Sequence, residues 1–195
     1  MTANHWLFFR RWIRNPLKIG AVMPSGRSLS GAMARAVDPD GDGLVVELGG
    51  GTGSITTALL ERIPEDRLIV VERDPTFHAL LTERFPGIRV LKGEATALTG
   101  LMTEHGLTGN GGVAAVVSGL PLLSMTRSQQ EAILKESFAL LRPDGAYIQF
   151  TYGPKVPVPD RLRKSLGLKA TNLGHTTNNV PPATVWKLER ATPKG

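Results

Sequence analysis

The stretch LVVELGGGTG, residues 44–53, joins a short apolar run to a turn that contains four glycines. Within it, Glu47, Gly49, Gly51 and Gly53 follow an E-x-G-x-G-x-G pattern. Glycine lets a backbone turn tightly and brings its N–H groups close to a ligand. The stretch therefore predicts a buried strand that leads, through a ligand-binding turn, into a helix.

Short apolar runs alternate with helical patterns on the carboxyl side of this turn. This alternation is typical of a parallel sheet covered by helices, so the predicted fold class is α/β. The last part of the chain is less regular, with a proline-broken loop and a possible helical turn in RLRKSL before its final strand. Strands are predicted at 44–48, 68–72, 88–93, 113–119, 145–152 and 183–190, and helices at about 54–63, 75–84 and 127–141.

The charge of the chain is unevenly distributed. The formal net charge is +6, and all of this excess lies before Asp38, where six basic residues meet no acid. Such an asymmetry indicates an anionic partner, either nucleic acid or a lipid surface. The chain has no cysteine, which excludes disulfides, thiolate metal sites and cysteine nucleophiles. The six basic residues are Arg10, Arg11, Arg14, Lys18, Arg27 and Arg35.

The glycine turn is compatible with several adenosine cofactors, and its neighbours discriminate among them. Glu72 lies 19 residues past Gly53 at the end of the next predicted strand, where an acid accepts hydrogen bonds from both ribose hydroxyls. A dinucleotide fingerprint needs a third glycine at position 54, which is a serine. Glu47 would repel a pyrophosphate but suits an ammonium group. The residues therefore favour S-adenosylmethionine over NAD or ATP.

With these motifs, residues 44–152 resemble the class I S-adenosylmethionine-dependent methyltransferases. The resemblance implies a Rossmann-like, mostly parallel seven-stranded sheet with helices on both faces. In LKGEATAL (91–98), Glu94 stands where the family places an acid near the adenine amino group, usually in a Gly-Asp-Ala sequence. The alternative is a set of acidic strand ends with no ligand. The implied cofactor-binding residues are Glu47, Gly49, Gly51, Gly53, Glu72, Arg73, Glu94, Ala95 and Ser118.

The segment VVSGLPLLSM (116–125) bears on the methyl acceptor. Enzymes that methylate base amines carry Asn-Leu-Pro-Tyr or Asp-Pro-Pro-Tyr at this place, where the aromatic ring stacks on a flipped base. Aligned on the proline, Gly119 replaces the Asn and Leu122 replaces the aromatic residue. An aliphatic bend lined by leucines, with Ser118, fits an alkyl chain better than a purine, although the leucines are equally compatible with a plain core.

This segment, together with IGAVMPSGRSLSGAM (19–33), resembles the bacterial phospholipid N-methyltransferases, which convert phosphatidylethanolamine stepwise to phosphatidylcholine. The rRNA adenine dimethyltransferases resemble the chain as well and give the alternative function. A third possibility is a catalytically idle module that keeps the fold and binds lipid or RNA. The resemblance implies an acceptor-positioning loop of Ser118, Gly119, Leu120 and Pro121, whose carbonyls or Ser118 hydroxyl face the amine. Tyr147 and Tyr152 are candidates for contact with the headgroup cation, with a place in the core through strand alternation as the alternative for either one, and neither a metal nor a general base is assigned.

The opening segment HWLFFRRWIRNPLK (5–18) predicts an amphipathic helix. On a helical wheel its aromatic and aliphatic residues share one half and its basic residues the other, with Pro16 ending or kinking the helix. This pattern is typical of a helix lying in a membrane interface with anionic lipids, although a helix that merely covers the sheet is the alternative. The predicted membrane and substrate contacts are Trp6, Phe9, Arg10, Trp12, Arg14, Lys18, Ser25 and Arg27.

The chain is expected to have two parts. Residues 1–38 form a basic helical segment that contacts the membrane and covers the active site, and residues 39–195 form the methyltransferase domain. We expect Ser25 or Ser28 to cap a helix over about 28–37, and Arg27 beside its start either to bind a lipid phosphate or to be solvated. The expected location is the inner face of the cytoplasmic membrane, with phosphatidylethanolamine as substrate and no nucleic acid or protein partner. A second basic cluster, which either faces the membrane or is simply solvated, comprises Arg161, Arg163, Lys164 and Lys169.

Overall fold

The computed structural model describes residues 24–108, 112–176 and 182–191. In this part of the chain, seven strands alternate with six α-helices. The strands are β1 Leu44–Leu48, β2 Leu68–Glu72, β3 Arg89–Lys92, β4 Val113–Ser118, β5 Leu141–Tyr152, β6 Leu168–Thr176 and β7 Ala183–Arg190. The helices are α1 Pro24–Ala34, α2 Ser54–Leu60, α3 Pro75–Arg84, α4 Leu98–Glu104, α5 Arg127–Leu140 and α6 Asp160–Ser165.

The strands form one sheet in the order β3-β2-β1-β4-β5-β7-β6. The first five strands pair in parallel, and β7 pairs antiparallel with both β5 and β6. The chain order reverses between β1 and β4, where an open α/β sheet provides its binding crevice. The predicted Rossmann-like, mostly parallel seven-stranded fold is confirmed.

Each face of the sheet has its own apolar core because successive strand residues point to opposite sides. Val45 packs with Met33 of α1 and Leu81 of α3 on one face. Val46 packs with Leu98 of α4 and Leu134 of α5 on the other. Helices on both faces leave the carboxyl ends of the parallel strands to the connecting loops.

Local capping explains where two of the helices begin. The Asp74 side chain accepts hydrogen bonds from the N–H groups of Thr76 and Phe77, with Pro75 in the first turn of α3. At the start of α5, Thr126 and Gln129 form a capping box. Both helices therefore start directly after the loops that follow β2 and β4.

Helix α1 differs from its prediction. It begins at Pro24, so Ser25 and Ser28 lie inside it and neither caps its N-terminus, which makes that prediction wrong. Met33 and Ala34 are fully buried, so α1 packs into the same core as the sheet. The domain division at residue 38 stays a prediction, and residues 1–23, which carry the predicted membrane helix, lie outside the described residues.

The antiparallel edge of the sheet was only partly predicted. Strand β7 matches its prediction, whereas β6 was not predicted and β5 begins at Leu141 rather than at residue 145. Trp186 of β7 lies opposite Gln149 of β5 and is buried. Its indole N–H donates to the Thr151 hydroxyl at 3.0 Å, which ties the two strands together through their side chains.

Candidate active site

The carboxyl ends of β1, β2 and β4 bring the predicted cofactor turn and acceptor loop into contact. The Gly49 N–H donates to the Val71 carbonyl at 2.8 Å, and the Gly119 N–H donates to the Leu48 carbonyl at 2.9 Å. These bonds extend the sheet pairing beyond the strands into both loops. The two predicted sites therefore form one continuous site.

The glycine turn after β1 uses left-handed backbone conformations. Gly49, Gly51 and Gly53 have φ values of 75°, 54° and 81°, which glycine adopts without steric cost. A Cβ on Gly49 would lie 2.7 Å from Cδ2 of Leu120, whereas a Cβ on Gly51 would meet nothing within 4 Å. Gly49 thus allows the acceptor loop to pack closely, and Gly51 borders open space where a ligand can approach.

Glu47 lies below the turn and is fully buried on β1. One carboxyl oxygen, Oε2, accepts a 2.7 Å hydrogen bond from the hydroxyl of Thr56 in α2, while Oε1 is buried without a partner. Burial raises the pKa of this carboxyl to about 8. A buried acceptor without a donor is costly, so the position favours a ligand that brings a cationic N–H group.

Glu72 at the end of β2 is held by two backbone N–H groups. Its Oε2 accepts from Gly51 at 3.0 Å, and its Oε1 accepts from Asp74 at 2.8 Å. The carboxylate is therefore fixed between the glycine turn and the start of α3. Each carboxylate oxygen can accept more than one hydrogen bond, which leaves capacity for the hydroxyls of a ribose.

The next two predicted residues lie at the same edge of the sheet but are exposed. Arg73 follows β2, Glu94 follows β3, and their side chains form an ion pair at 3.7 Å. Ala95 begins a short 3-10 helix directly after Glu94. Their contact with an adenine ring stays a prediction.

These features fit S-adenosylmethionine. The orphaned Oε1 of Glu47 would accept from the ammonium of the methionine portion, the open side of Gly51 accommodates the ligand, and Glu72 would hold the ribose. When bound, this cofactor supplies an electrophilic methyl group on a sulfonium. Much of the catalysis of such a displacement comes from positioning the acceptor and removing water.

Ser118 shapes the acceptor loop. It is fully buried at the end of β4, and its hydroxyl accepts from the N–H of Leu120 at 3.3 Å. Contact of this hydroxyl or of the loop carbonyls with the substrate amine stays a prediction. Among those carbonyls, Leu120 and Pro121 already accept from the N–H groups of Leu122 and Ser124.

Two buried glutamines that the sequence interpretation missed hold the acceptor loop. Gln149 of β5 donates its Nε2 to the Leu120 carbonyl at 2.9 Å. Gln130 of α5 donates to the carbonyls of Leu122 and Met125 at 2.7 and 3.2 Å. For Gln149 the signal was a lone amide residue within an apolar strand pattern, AYIQFTY, whereas Gln130 lies in the polar run RSQQE and gave no such signal.

Four further positions divide between core and surface. Leu122 is 1% exposed and Tyr147 is fully buried, so both belong to the core, and for Tyr147 the core alternative replaces contact with the headgroup. Tyr152 is partly buried and packs edge-to-face against Phe150 with ring centroids 5.4 Å apart. Leu123, by contrast, is 48% exposed.

Comparisons with known proteins place this site in a family. A family model described as a methyltransferase domain matches residues 45–145, which span the glycine turn, both acidic strand ends and the acceptor loop. The chain belongs to the class I S-adenosylmethionine-dependent methyltransferases. Its cofactor is S-adenosylmethionine, in agreement with the fit of Glu47, Gly51 and Glu72.

This methyltransferase is similar to enzymes with different acceptors. It is 34% identical over 157 residues to the ornithine lipid N-methyltransferase of Singulisphaera acidiphila, covering 78% of this chain and 80% of that one. It is 32% identical over 127 residues to the ribosomal RNA small subunit methyltransferase A of Bordetella pertussis, covering 64% and 47%. The chain thus spans about half of the second relative.

Solved structures confirm the fold. The 1,6-didemethyltoxoflavin-N1-methyltransferase of Burkholderia thailandensis, solved with S-adenosylhomocysteine, has a TM-score of 0.64 and 16% identity. The match covers 94% of this chain and 86% of that one. Within the described residues, no helix of this methyltransferase combines the length and apolar character needed to cross a membrane.

Proposed function

We propose that this methyltransferase transfers methyl groups from S-adenosylmethionine to the amine of phosphatidylethanolamine and its mono- and dimethyl forms, toward phosphatidylcholine, at a membrane surface. The observation that carries this proposal is the apolar acceptor loop beside the cofactor turn. Leu123, 48% exposed, presents an aliphatic side chain to solvent in the short 3-10 helix Leu122–Ser124 that follows this loop.

The loop lacks the side chains that bind a nucleic-acid base, and its apolar side chains can exclude water. Gly119 has no side chain to accept from a base amine, and Leu122 is buried where an aromatic ring would have to stack. The Leu120 side chain packs against Gly49 at the cofactor turn. An amine that arrives with acyl chains would therefore meet apolar side chains at the rim and backbone acceptors behind them.

The curated relative supports a lipid acceptor. It is an ornithine lipid N-methyltransferase, and the similarity covers most of both chains. A primary amine on a membrane lipid is common to ornithine lipids and phosphatidylethanolamine. We extend the relative's substrate class to this chain and choose phosphatidylethanolamine from the resemblance of the acceptor loop and the 19–33 segment to phospholipid N-methyltransferases.

The amino-terminal segment supports a peripheral membrane location. The four basic residues of 10–18 would each contribute about 1 kcal/mol of attraction to an anionic surface, opposite a face rich in tryptophan and phenylalanine. The proposed place of action is the inner face of the cytoplasmic membrane, where S-adenosylmethionine and lipid headgroups meet.

The test is transfer of labelled methyl from S-adenosylmethionine to three acceptors in parallel: vesicles containing phosphatidylethanolamine, vesicles containing ornithine lipid, and unmodified small-subunit rRNA. Label in phosphatidylethanolamine supports the proposal. Label in ornithine lipid alone would correct the headgroup and keep the lipid class. Label in RNA with none in either lipid would overturn the function.

Two variants with equal changes in hydrophobicity test the loop itself. Leu123→Ser should reduce the rate on lipid several-fold without changing cofactor affinity. The matched control is Leu173→Ser, because Leu173 is 44% exposed on β6. Equal rates for the two variants would show that Leu123 does not contact the lipid.

A second candidate function is N-methylation of an adenine in RNA. The similarity to the ribosomal RNA methyltransferase of Bordetella pertussis supports it, with the basic amino terminus then binding phosphates. The burial of Leu122 weighs against it, because base stacking needs an exposed aromatic ring at that position. The rRNA arm of the experiment decides between them.

A further inference from the structure

A groove of about 290 Å³ lies between α5 and α6, outside the glycine turn and the acceptor loop. Arg127 and Glu131 line it from the first two turns of α5. Arg161, Leu162 and Ser165 line it from α6. Two arginines thus face one cleft from different helices.

The groove carries a net positive charge because its lining has two arginines and one acid, and that acid is already paired with a lysine. The Glu131 carboxylate forms a 2.7 Å ion pair with Lys135 one turn further along α5. The hydrogen bond and charge of Lys135, and to a smaller extent the charge of Arg127, lower the pKa of Glu131, so this carboxylate offsets only part of the positive charge around it. Neither Arg127 nor Arg161 forms an ion pair with any residue in the described part of the chain.

The basic cluster of 161–169 separates into paired and unpaired members. Arg163 forms an ion pair with Asp160, and Lys169 forms one with Glu189 at 3.5 Å. Arg161 instead lines the groove.

The groove lies at the end of α5 that the acceptor loop leads into. Arg127 is the first residue of α5 and follows Pro121, the last residue of that loop, by six positions, across the 3-10 helix Leu122–Ser124. Gln130, one turn into α5, donates to the Leu122 and Met125 carbonyls, so the same end of α5 holds the segment after the loop and lines the groove. A molecule whose amine reaches the acceptor loop would then place a nearby anionic group toward Arg127.

We propose that Arg127 and Arg161 bind the phosphodiester of the phosphatidylethanolamine headgroup and so set the position of its amine at the acceptor loop. The inference rests on the proposed function. The planar fork of a guanidinium can donate to two oxygens of one phosphate and stays charged at any physiological pH. In phosphatidylethanolamine only two carbon atoms and the ester oxygen separate the amine nitrogen from phosphorus, which suits a phosphate site adjacent to the methyl-transfer site.

The experiment compares the double variant Arg127→Gln/Arg161→Gln with Arg163→Gln, which removes a nearby cation already paired with Asp160. Phosphatidylethanolamine is presented in neutral detergent micelles, where general attraction to an anionic surface is absent. We expect the double variant to raise KM about tenfold or more, with kcat changed little and S-adenosylmethionine affinity unchanged. The control should keep the wild-type KM.

A second readout needs no methyl transfer. Isothermal titration with glycerophosphoethanolamine, the headgroup without acyl chains, should show binding that the double variant loses and the control retains, with inorganic phosphate as the probe for a simple anion. Equal KM and equal titrations for both variants would overturn the groove while leaving lipid methylation intact. Absence of lipid methylation in the wild type would instead overturn the proposed function, and the titration would still decide whether the groove binds a phosphate ester.

Discussion

At the scale of single residues, an alanine in place of Gly51 would have two separate effects, one on backbone strain and one on ligand contact. Gly51→Ala should cost about 1 kcal/mol of stability because φ is 54°, and its Cβ would enter the open space where the cofactor approaches. We expect a clear loss of S-adenosylmethionine affinity by titration. Gly106→Ala is the matched control, with φ of 68° and no atom within 4 Å of the added Cβ, and it should lose similar stability but no affinity.

Glu47 gives the free protein an unusual dependence on pH. Its pKa is about 8 in the folded chain against an ordinary value of 4.5, so the native state binds this proton more tightly than the unfolded state. The contribution of Glu47 to the free energy of unfolding therefore decreases as pH rises from 4.5 to 8, by at most about 1.4 kcal/mol per pH unit. Above pH 8 this loss is complete.

Urea denaturation of cofactor-free protein between pH 5 and pH 8.5 measures this effect. Glu47→Gln keeps the shape of the side chain without the titration, so its stability should fall less over this range than that of the wild type. The same variant should bind S-adenosylmethionine at least tenfold more weakly at pH 8 because the charged hydrogen bond to the ammonium is gone. Parallel pH profiles of the two proteins would contradict the assignment.

At the scale of elements, β5 and α5 hold the acceptor loop from two sides. Gln149→Leu removes the donor to the Leu120 carbonyl and also removes the buried, unpaired Oε1 of Gln149. These changes oppose each other, so the stability should change by only about 1 kcal/mol. The loop loses its anchor, and we expect kcat to fall about tenfold with cofactor affinity unchanged. A loss of kcat matched by a large loss of stability would indicate a purely structural role.

The central elements could be predicted because their patterns are local. Strands β1 and β2 are apolar runs, and Pro75 and Thr126 mark the starts of α3 and α5. Strand β6 was missed because most of its residues are exposed and polar, so only pairing with β7 defines it. Helix α4 was likewise not predicted, because it contains a glycine and two threonines, which give it a weak helix propensity. Packing of Leu98 and Met102 against the sheet overrides that weak propensity.

The cofactor half of the site was predictable for a similar reason. Its acids and glycines follow fixed spacings along β1 and β2, whereas the acceptor half depends on contacts between segments far apart in sequence. Gln149 reaches Leu120 across 29 positions, and Ser118 turned out to be enclosed beside them. No spacing rule indicates which of the alternating residues of β5 faces a loop.

At the scale of the whole molecule, the basic excess before Asp38 should make activity on membranes sensitive to salt. Raising ionic strength from about 0.1 M to about 1 M shortens the Debye length from about 10 Å to about 3 Å. We expect the rate on anionic vesicles to fall strongly, while the rate on neutral micelles stays nearly constant. Replacement of Trp6, Phe9 and Trp12 by serine should lower the vesicle rate already at low salt. Equal losses of rate on vesicles and on micelles would show that the enzyme itself is impaired rather than its attraction to the membrane.

The hydrogen-bonded indole of Trp186 also makes the chain a natural fluorescent reporter. The sequence has three tryptophans, and the other two lie in the opening segment. Replacing Trp6 and Trp12 by phenylalanine would leave one emitter at the seam between β5 and β7, next to the strand residue that anchors the acceptor loop. Its emission would then follow events at that seam without interference from the opening segment, and the difference spectrum from the wild type would isolate the signal of Trp6 and Trp12.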